Sequence, residues 1–299
     1  MTARLRKVAG VLGCCLVMSA CSHNQAKRPA SVLTKDAAPQ LSAGGRTIFP
    51  AHRVVAYYGA AEVPALGVLG QGPPVQIARK LLSQVRRYEI GNKRVIPAFE
   101  LIATVAQRSP GAAGKYSASS EDAIVARYLS QVRKMKGLLI LDIQPGRASF
   151  SPEVRRYEKF LLEPDVSVAL DPEWKMSASE IPDQQIGHTD AAAVNEVSAF
   201  LAQIIKRHNL PQKLLVIHEF TTDMVEHKER ILDRPGVAIT FHVDGFGSRA
   251  AKLSKYRILS RAGSGRFLGF KLFYDQDPDL LSPSEVLRLM PRPDLITYQ

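Results

Sequence analysis

The feature that most constrains this chain is a repeating alternation. Eight short apolar runs are separated from one another by longer stretches, most of them amphipathic. The runs lie near residues 53–59, 94–103, 137–143, 166–171, 213–219, 236–243, 266–274 and 294–298. Leu138-Leu139-Ile140-Leu141-Asp142-Ile143 and Leu214-Leu215-Val216-Ile217 are nearly continuous hydrophobic segments. Such runs are typical of strands buried on both faces, as in a parallel sheet covered by helices. Between them, Val75, Ile77, Leu81, Leu82 and Val85 recur at helical spacing, as do Ile124, Val125, Tyr128, Leu129 and Val132. Helix starts are expected at Ser119, at Ser151-Pro152-Glu153, at Thr189 or Asp190, and at Ser282-Pro283-Ser284-Glu285. A shorter helix is expected over 222–232 and another over 249–260. Eight such units in about 250 residues predict an α/β fold, the closed (β/α)8 or TIM barrel. The alternative is an open doubly wound sheet. Gly67, Gly70 and Gly72 follow the first strand, but their spacing does not match the dinucleotide-binding fingerprint. They read instead as a loop on the barrel rim.

The N-terminus predicts export. Arg4, Arg6 and Lys7 precede an apolar run of eleven residues, Val8–Met18. That run is too short to span a bilayer, which takes about twenty residues. It fits the core of a signal peptide over residues 1–20. Met18-Ser19-Ala20-Cys21 then places small residues before a cysteine. This resembles the lipobox of bacterial lipoproteins and implies that Cys21 carries lipid. A plain signal peptide cut at a nearby alanine is the alternative. Cys14, Cys15 and Cys21 are the only cysteines. A chain starting at Cys21 therefore keeps no free thiol, which excludes a cysteine nucleophile, a thiolate metal site and an internal disulfide. Residues 21–49, rich in Ser, Ala, Lys, Pro and Gly and without periodicity, read as a disordered tether. Residues 50–299 then form the barrel domain. The expected location is the cell membrane, lipid-anchored and facing the extracytoplasmic side.

The chain is basic, with 40 Lys and Arg against 28 Asp and Glu. Losing the three basic residues before Cys21 lowers its net charge from +12 to +9. The basic residues are scattered over predicted helices, as expected of a solvated outer face. Nucleic acid is not an expected partner for an exported lipoprotein, and a monomer is expected.

In a (β/α)8 barrel the active site lies where the strands end. Polar residues at those ends are therefore the candidates. Asp142 and Gln144 end strand three, Asp171 and Glu173 strand four, His218 and Glu219 strand five, and His242 and Asp244 strand six. Lys271 and Asp275 follow along strand seven, and Tyr57 or Tyr58 ends strand one. Glu100 lies within the strand-two run. Alternation with a period of two puts each spaced pair on one face. The reading takes Asp171, Glu173, Asp142, Asp244 and Asp275 as catalytic carboxylates. Tyr57, Tyr58, Trp174, Glu219, His218, His242, Lys271 and Gln144 are the candidate substrate-binding groups.

The strand-end acids, above all Asp171-Pro172-Glu173-Trp174, and the Tyr57-Tyr58-Gly59 start resemble glycoside-hydrolase-like barrels of exported bacterial lipoproteins. The resemblance covers residues 53–299. It implies a glycan or another polar polymer as partner and no cofactor. In the large glycosidase clan of such barrels the two catalytic acids are Glu residues ending strands four and seven. Glu173 matches the first position, whereas strand seven offers Asp275. Glycoside hydrolysis needs one protonated carboxyl and one carboxylate. Two other readings stand beside this one. One is a non-catalytic carbohydrate-binding or scaffold lipoprotein. The other is a metal-dependent hydrolase using His218, Glu219, His242 and Asp244, although no close metal-binding motif such as H-E-x-x-H is present.

Overall fold

A computed structural model describes residues 38–299 except 92, 263 and 264. The signal peptide, Cys21 and the tether up to residue 37 lie outside the described residues. Eight parallel strands form a closed barrel: β1 His52–Gly59, β2 Arg94–Ala106, β3 Leu138–Ile143, β4 Val166–Leu170, β5 Lys213–Glu219, β6 Val237–Val243, β7 Phe267–Leu272 and β8 Leu295–Tyr298. Each pairs with the next, and β1 pairs with both β2 and β8, which closes the ring. All eight strands lie within two residues of the ranges expected from the apolar runs, except that β2 runs three residues longer. Its extension pairs antiparallel with Ser117–Ser119.

Alternation divides each strand between two cores. Val54 and Ala56 of β1, Ile96 and Ala98 of β2, Leu138 and Ile140 of β3 and Leu214 and Val216 of β5 fill the lower barrel interior. The intervening residues, such as Val55, Phe99, Leu139 and Leu215, join the larger core between barrel and helices. That layer contains α1 Pro74–Arg86, α2 Asp122–Lys134, α3 Phe150–Arg155, α4 Glu158–Leu161, α5 Ala191–His208, α6 Arg249–Ala262 and α7 Pro283–Val286.

Local signals fix several helix starts. Asp190 caps α5 by accepting from the Ala193 backbone N–H at 2.8 Å. Ser282 and Glu285 form a capping box around Pro283 at the start of α7. Two expectations are corrected. The α2 helix opens at Asp122 with Glu121 in the N-cap position, because Ser119 is held in the short strand beside β2. The helix expected over 222–232 does not form. Val225 and Glu226 pair with Thr189 and Asp190, and His227 adopts a left-handed conformation (φ 56°) that a helix cannot continue through. Only a single 3-10 turn, Lys228–Arg230, follows.

The domain also begins earlier than the tether reading placed it. Leu41, Ile48 and Phe49 are buried and pack into the lower interior core, with the Phe49 ring 5.0 Å from that of Phe267. Gln212 receives the Ile48 and Phe49 backbone N–H groups at 2.7 and 2.8 Å. Residues 41–49 therefore close the barrel floor at the N-terminal ends of the strands. An open barrel end would leave these apolar strand residues wet, and Ile48 and Phe49 remove that area from water.

Candidate active site at the barrel mouth

Above the apolar floor, the inward positions of the strands become polar. Tyr58, Glu100, Asp142, His218, His242, Lys271 and Thr297 are all buried, and each continues the inward series of its strand. Glu100, His218, Lys271 and Thr297 join Asp244 in one hydrogen-bonded network, Tyr58 and Asp142 form a second with Gln144, and neither ring nitrogen of His242 has a hydrogen-bond partner among the described residues. His218 lies 2.9 Å from Glu100 through Nε2 and 2.9 Å from Asp244 through Nδ1. With a carboxylate on each side, both ring nitrogens donate and the ring is a cation. Burial alone would favour the neutral ring, but Glu100 and Asp244 hold its pKa well above the ordinary histidine value. Thr297 donates to the other Glu100 oxygen at 3.0 Å. Lys271 donates to Asp244 at 3.1 Å and stands 3.5 Å from the centre of the Tyr58 ring. Asp244 also accepts from the Gly245 backbone N–H at 2.6 Å.

This network sorts the carboxylates. Burial works against charge on Asp244, but Lys271 and His218 outweigh it and hold the carboxyl well below its usual range. Glu100 is likewise ionised, because His218 overcomes its burial. Asp142 and Asp171 are driven the other way. Asp142 is pushed well up by burial and by Asp171, and Asp171 is raised by burial and by Asp244. Tyr58 donates to Asp142 at 2.8 Å, and Gln144 donates to the Tyr58 hydroxyl at 3.2 Å. Glu173, on the turn after β4, is raised to about 8 by burial, then by Asp171 and Asp244. At neutral pH the mouth therefore contains both proton-holding and ionised carboxyls.

The network opens into a cavity of about 390 Å³. Its polar lining includes Asp171, Glu173, Asp244, Gln144 and Lys271, and its aromatic lining includes Tyr58, Trp174, Phe220, Phe246 and Phe273. Leu66, on the rim loop that carries Gly67, also lines it. Gly67 has φ 120° and packs so close to the end of β1 that a Cβ there would meet the Tyr58 carbonyl at 2.6 Å.

Of the residues expected at the site, Asp171, Glu173, Asp244, Gln144, Lys271, Tyr58 and Trp174 line the cavity. Asp142, His218 and His242 belong to the buried layer rather than to the cavity lining. His242 is kept neutral, its pKa lowered to about 3 by burial and by the His218 cation 4.9 Å away. Three residues are not part of the site. Tyr57 points outward, where it packs edge-on against Tyr274 and Tyr298, because it alternates with the inward Tyr58. Glu219 alternates with His218 and pairs outside the barrel with Lys228. Asp275 is exposed on the turn after β7. The strand ends at Leu272, and Asp277 accepts the Phe273 backbone N–H at 2.9 Å to turn the chain, so alternation no longer carries Asp275 inward.

The site also includes groups beyond those expected. Glu100 is central to it, and its signal was a carboxylate inside an otherwise apolar run. Phe220, Phe246 and Phe273 follow strand ends, Lys255 lies on α6, and none of them carried a distinguishing pattern. Both ring nitrogens of His218 are committed to carboxylates. Among the described residues, no group of three or more His, Cys, Asp or Glu side chains is arranged to hold a metal ion.

No family model and no curated protein matches this chain.

Proposed function

We propose that this protein is an exported lipoprotein whose barrel cleaves a cell-envelope or extracellular glycan at the mouth lined by Glu173 and Asp244. The observation that carries the reading is the split in carboxyl states within one aromatic-lined cavity. Glu173 keeps its proton up to about pH 8, and Asp244 stays ionised beside Lys271 and His218. Glycoside hydrolysis uses this combination. In this reading Glu173 donates its proton to the leaving glycosidic oxygen. Asp244 supplies the negative charge that stabilises the oxocarbenium-like transition state or activates water. Trp174, Phe246 and Phe273 offer flat faces on which sugar rings stack.

A second reading has an observation of its own. Asp244 already accepts from His218, Lys271 and the Gly245 N–H. A carboxylate so fully engaged is a weak nucleophile, which favours a binding module that holds glycan without cleaving it. Incubating the protein with cell-wall and capsular polysaccharides, and measuring both reducing-end release and binding by calorimetry, separates the two. Turnover that Glu173→Gln abolishes while binding persists supports cleavage. Binding with no turnover in the wild type supports the module. Neither binding nor turnover on any glycan overturns both.

A further inference from the structure

The opposite end of the barrel contains a buried cation, Arg53, with two nitrogens that make no hydrogen bond among the described residues. Arg53 is the second residue of β1 and is only 2% exposed. Its Nε and Nη1 atoms are buried and have no hydrogen-bond partner among the described residues. An unpaired buried guanidinium is costly, because it loses water and gains no acceptor. The side chain borders a cavity of about 220 Å³ whose lining also includes Lys93, Arg292 and Asp294. Asp294 is paired with Lys93 at 2.8 Å, so its charge is already answered. Burial and then the like charge of Arg292 lower the Arg53 pKa, and the charge of Asp294 only partly offsets them. The group that would accept from the two Arg53 nitrogens and from the neighbouring Arg292 is an anion. A guanidinium edge suits an oxyanion, which can accept two parallel N–H bonds.

Two further observations bear on where that anion comes from. Ile90, which lines the same cavity, is 58% exposed, and Met290, two residues before Arg292, is 79% exposed. Exposed apolar side chains beside clustered cations suit a lipid surface, where acyl chains and phosphates lie close together. The described chain also begins on this face. Residues 41–49 plug the floor, and Arg46 donates to the Pro39 carbonyl at 2.6 Å, to that of Asn209 at 2.9 Å and to that of Leu210 at 2.9 Å. Pro39, near the first described residue, therefore lies at this end of the barrel.

We propose that Arg53, Lys93 and Arg292 form an oxyanion site on the strand-N-terminal face, occupied by the phosphate of an anionic lipid headgroup. The site stands on Arg53 and its cavity. The choice of a lipid as occupant also rests on reading Cys21 as the membrane anchor. Such a contact would hold the domain with its floor on the membrane and its mouth facing away.

The test uses the full-length chain in micelles of a neutral detergent. The thermal unfolding midpoint is followed while phosphatidylglycerol is mixed into the micelles. Parallel titrations use inorganic phosphate, and sodium chloride at equal ionic strength. Phosphatidylglycerol should raise the midpoint and saturate. Arg292→Gln, a change at an exposed position, should weaken the apparent affinity roughly ten- to hundred-fold, as loss of one charged hydrogen-bonding group does. Arg53→Gln should abolish the response, and the exposed Arg292 variant keeps the test decisive should Arg53→Gln fold poorly. An equal response in wild type and Arg292→Gln, or one that sodium chloride reproduces, overturns the site. An equal response to inorganic phosphate overturns the lipid as occupant. The readout involves no glycan, so its failure is separate from failure of the proposed activity.

Discussion

Glu173 is the most informative position to perturb, because its proton links chemistry to stability. In the native protein its pKa is about 8 against an ordinary value of 4.5. The sign follows from linkage. Between those values the native carboxyl keeps a proton that the unfolded chain has released, so stability is lost as pH rises through this window. Each pKa unit is worth about 1.4 kcal/mol, which sets a ceiling of about 5 kcal/mol. Glu173 is only partly covered at the cavity mouth, and solvent screening there reduces the expected effect to about 2–3 kcal/mol. Glutamine has nearly the same shape and does not titrate. Glu173→Gln should therefore match the wild type at pH 4 and exceed it by about 2–3 kcal/mol at pH 9. Urea denaturation at pH 4, 6.5 and 9 measures this directly. On a glycan that the wild type cleaves, the same variant should lose about 10²–10⁴ in turnover. A variant no more stable than the wild type at pH 9 would show that Glu173 is not a buried proton holder, and the acid–carboxylate assignment would go with it.

Three other perturbations test separate parts of the account. His218→Ala should cost about 3–5 kcal/mol by denaturation, because it leaves Glu100 and Asp244 facing each other without the cation between them. Phe49→Ala should cost about 3–5 kcal/mol, the loss expected for a buried aromatic. An unchanged midpoint would mean that residues 41–49 do not seal the floor. Cys21→Ser should move the protein out of the membrane fraction on cell fractionation, and retention there would end the lipoprotein reading.

Much of the barrel was legible in the residue order. Strand and helix patterns depend on neighbours one to four positions apart, and the chain states these patterns clearly. Leu138–Ile143 reads as a strand buried on both faces, and it is one. Alternation correctly placed Asp142 with Gln144 and His242 with Asp244 on the inward face. It failed at Asp275, because the strand had already ended, and at residues 222–232, where pairing with Thr189–Asp190 overrode local helical spacing. The plug at 41–49 was hidden because its few apolar residues have no period of their own. They gain meaning only against the barrel floor.

What the tertiary structure alone decided is the state of each carboxyl. Glu100 and His218 are 118 positions apart in the chain and 2.9 Å apart in the barrel. No local pattern records that distance. Whether an acid keeps or loses its proton depends on burial and on the charges beside it, which are set by strands far apart in sequence. The order of residues determined which groups would stand at the strand ends. Closure of the ring then set Asp244 beside Lys271 and His218, and Glu173 beside Asp171, and so made one an anion and the other an acid.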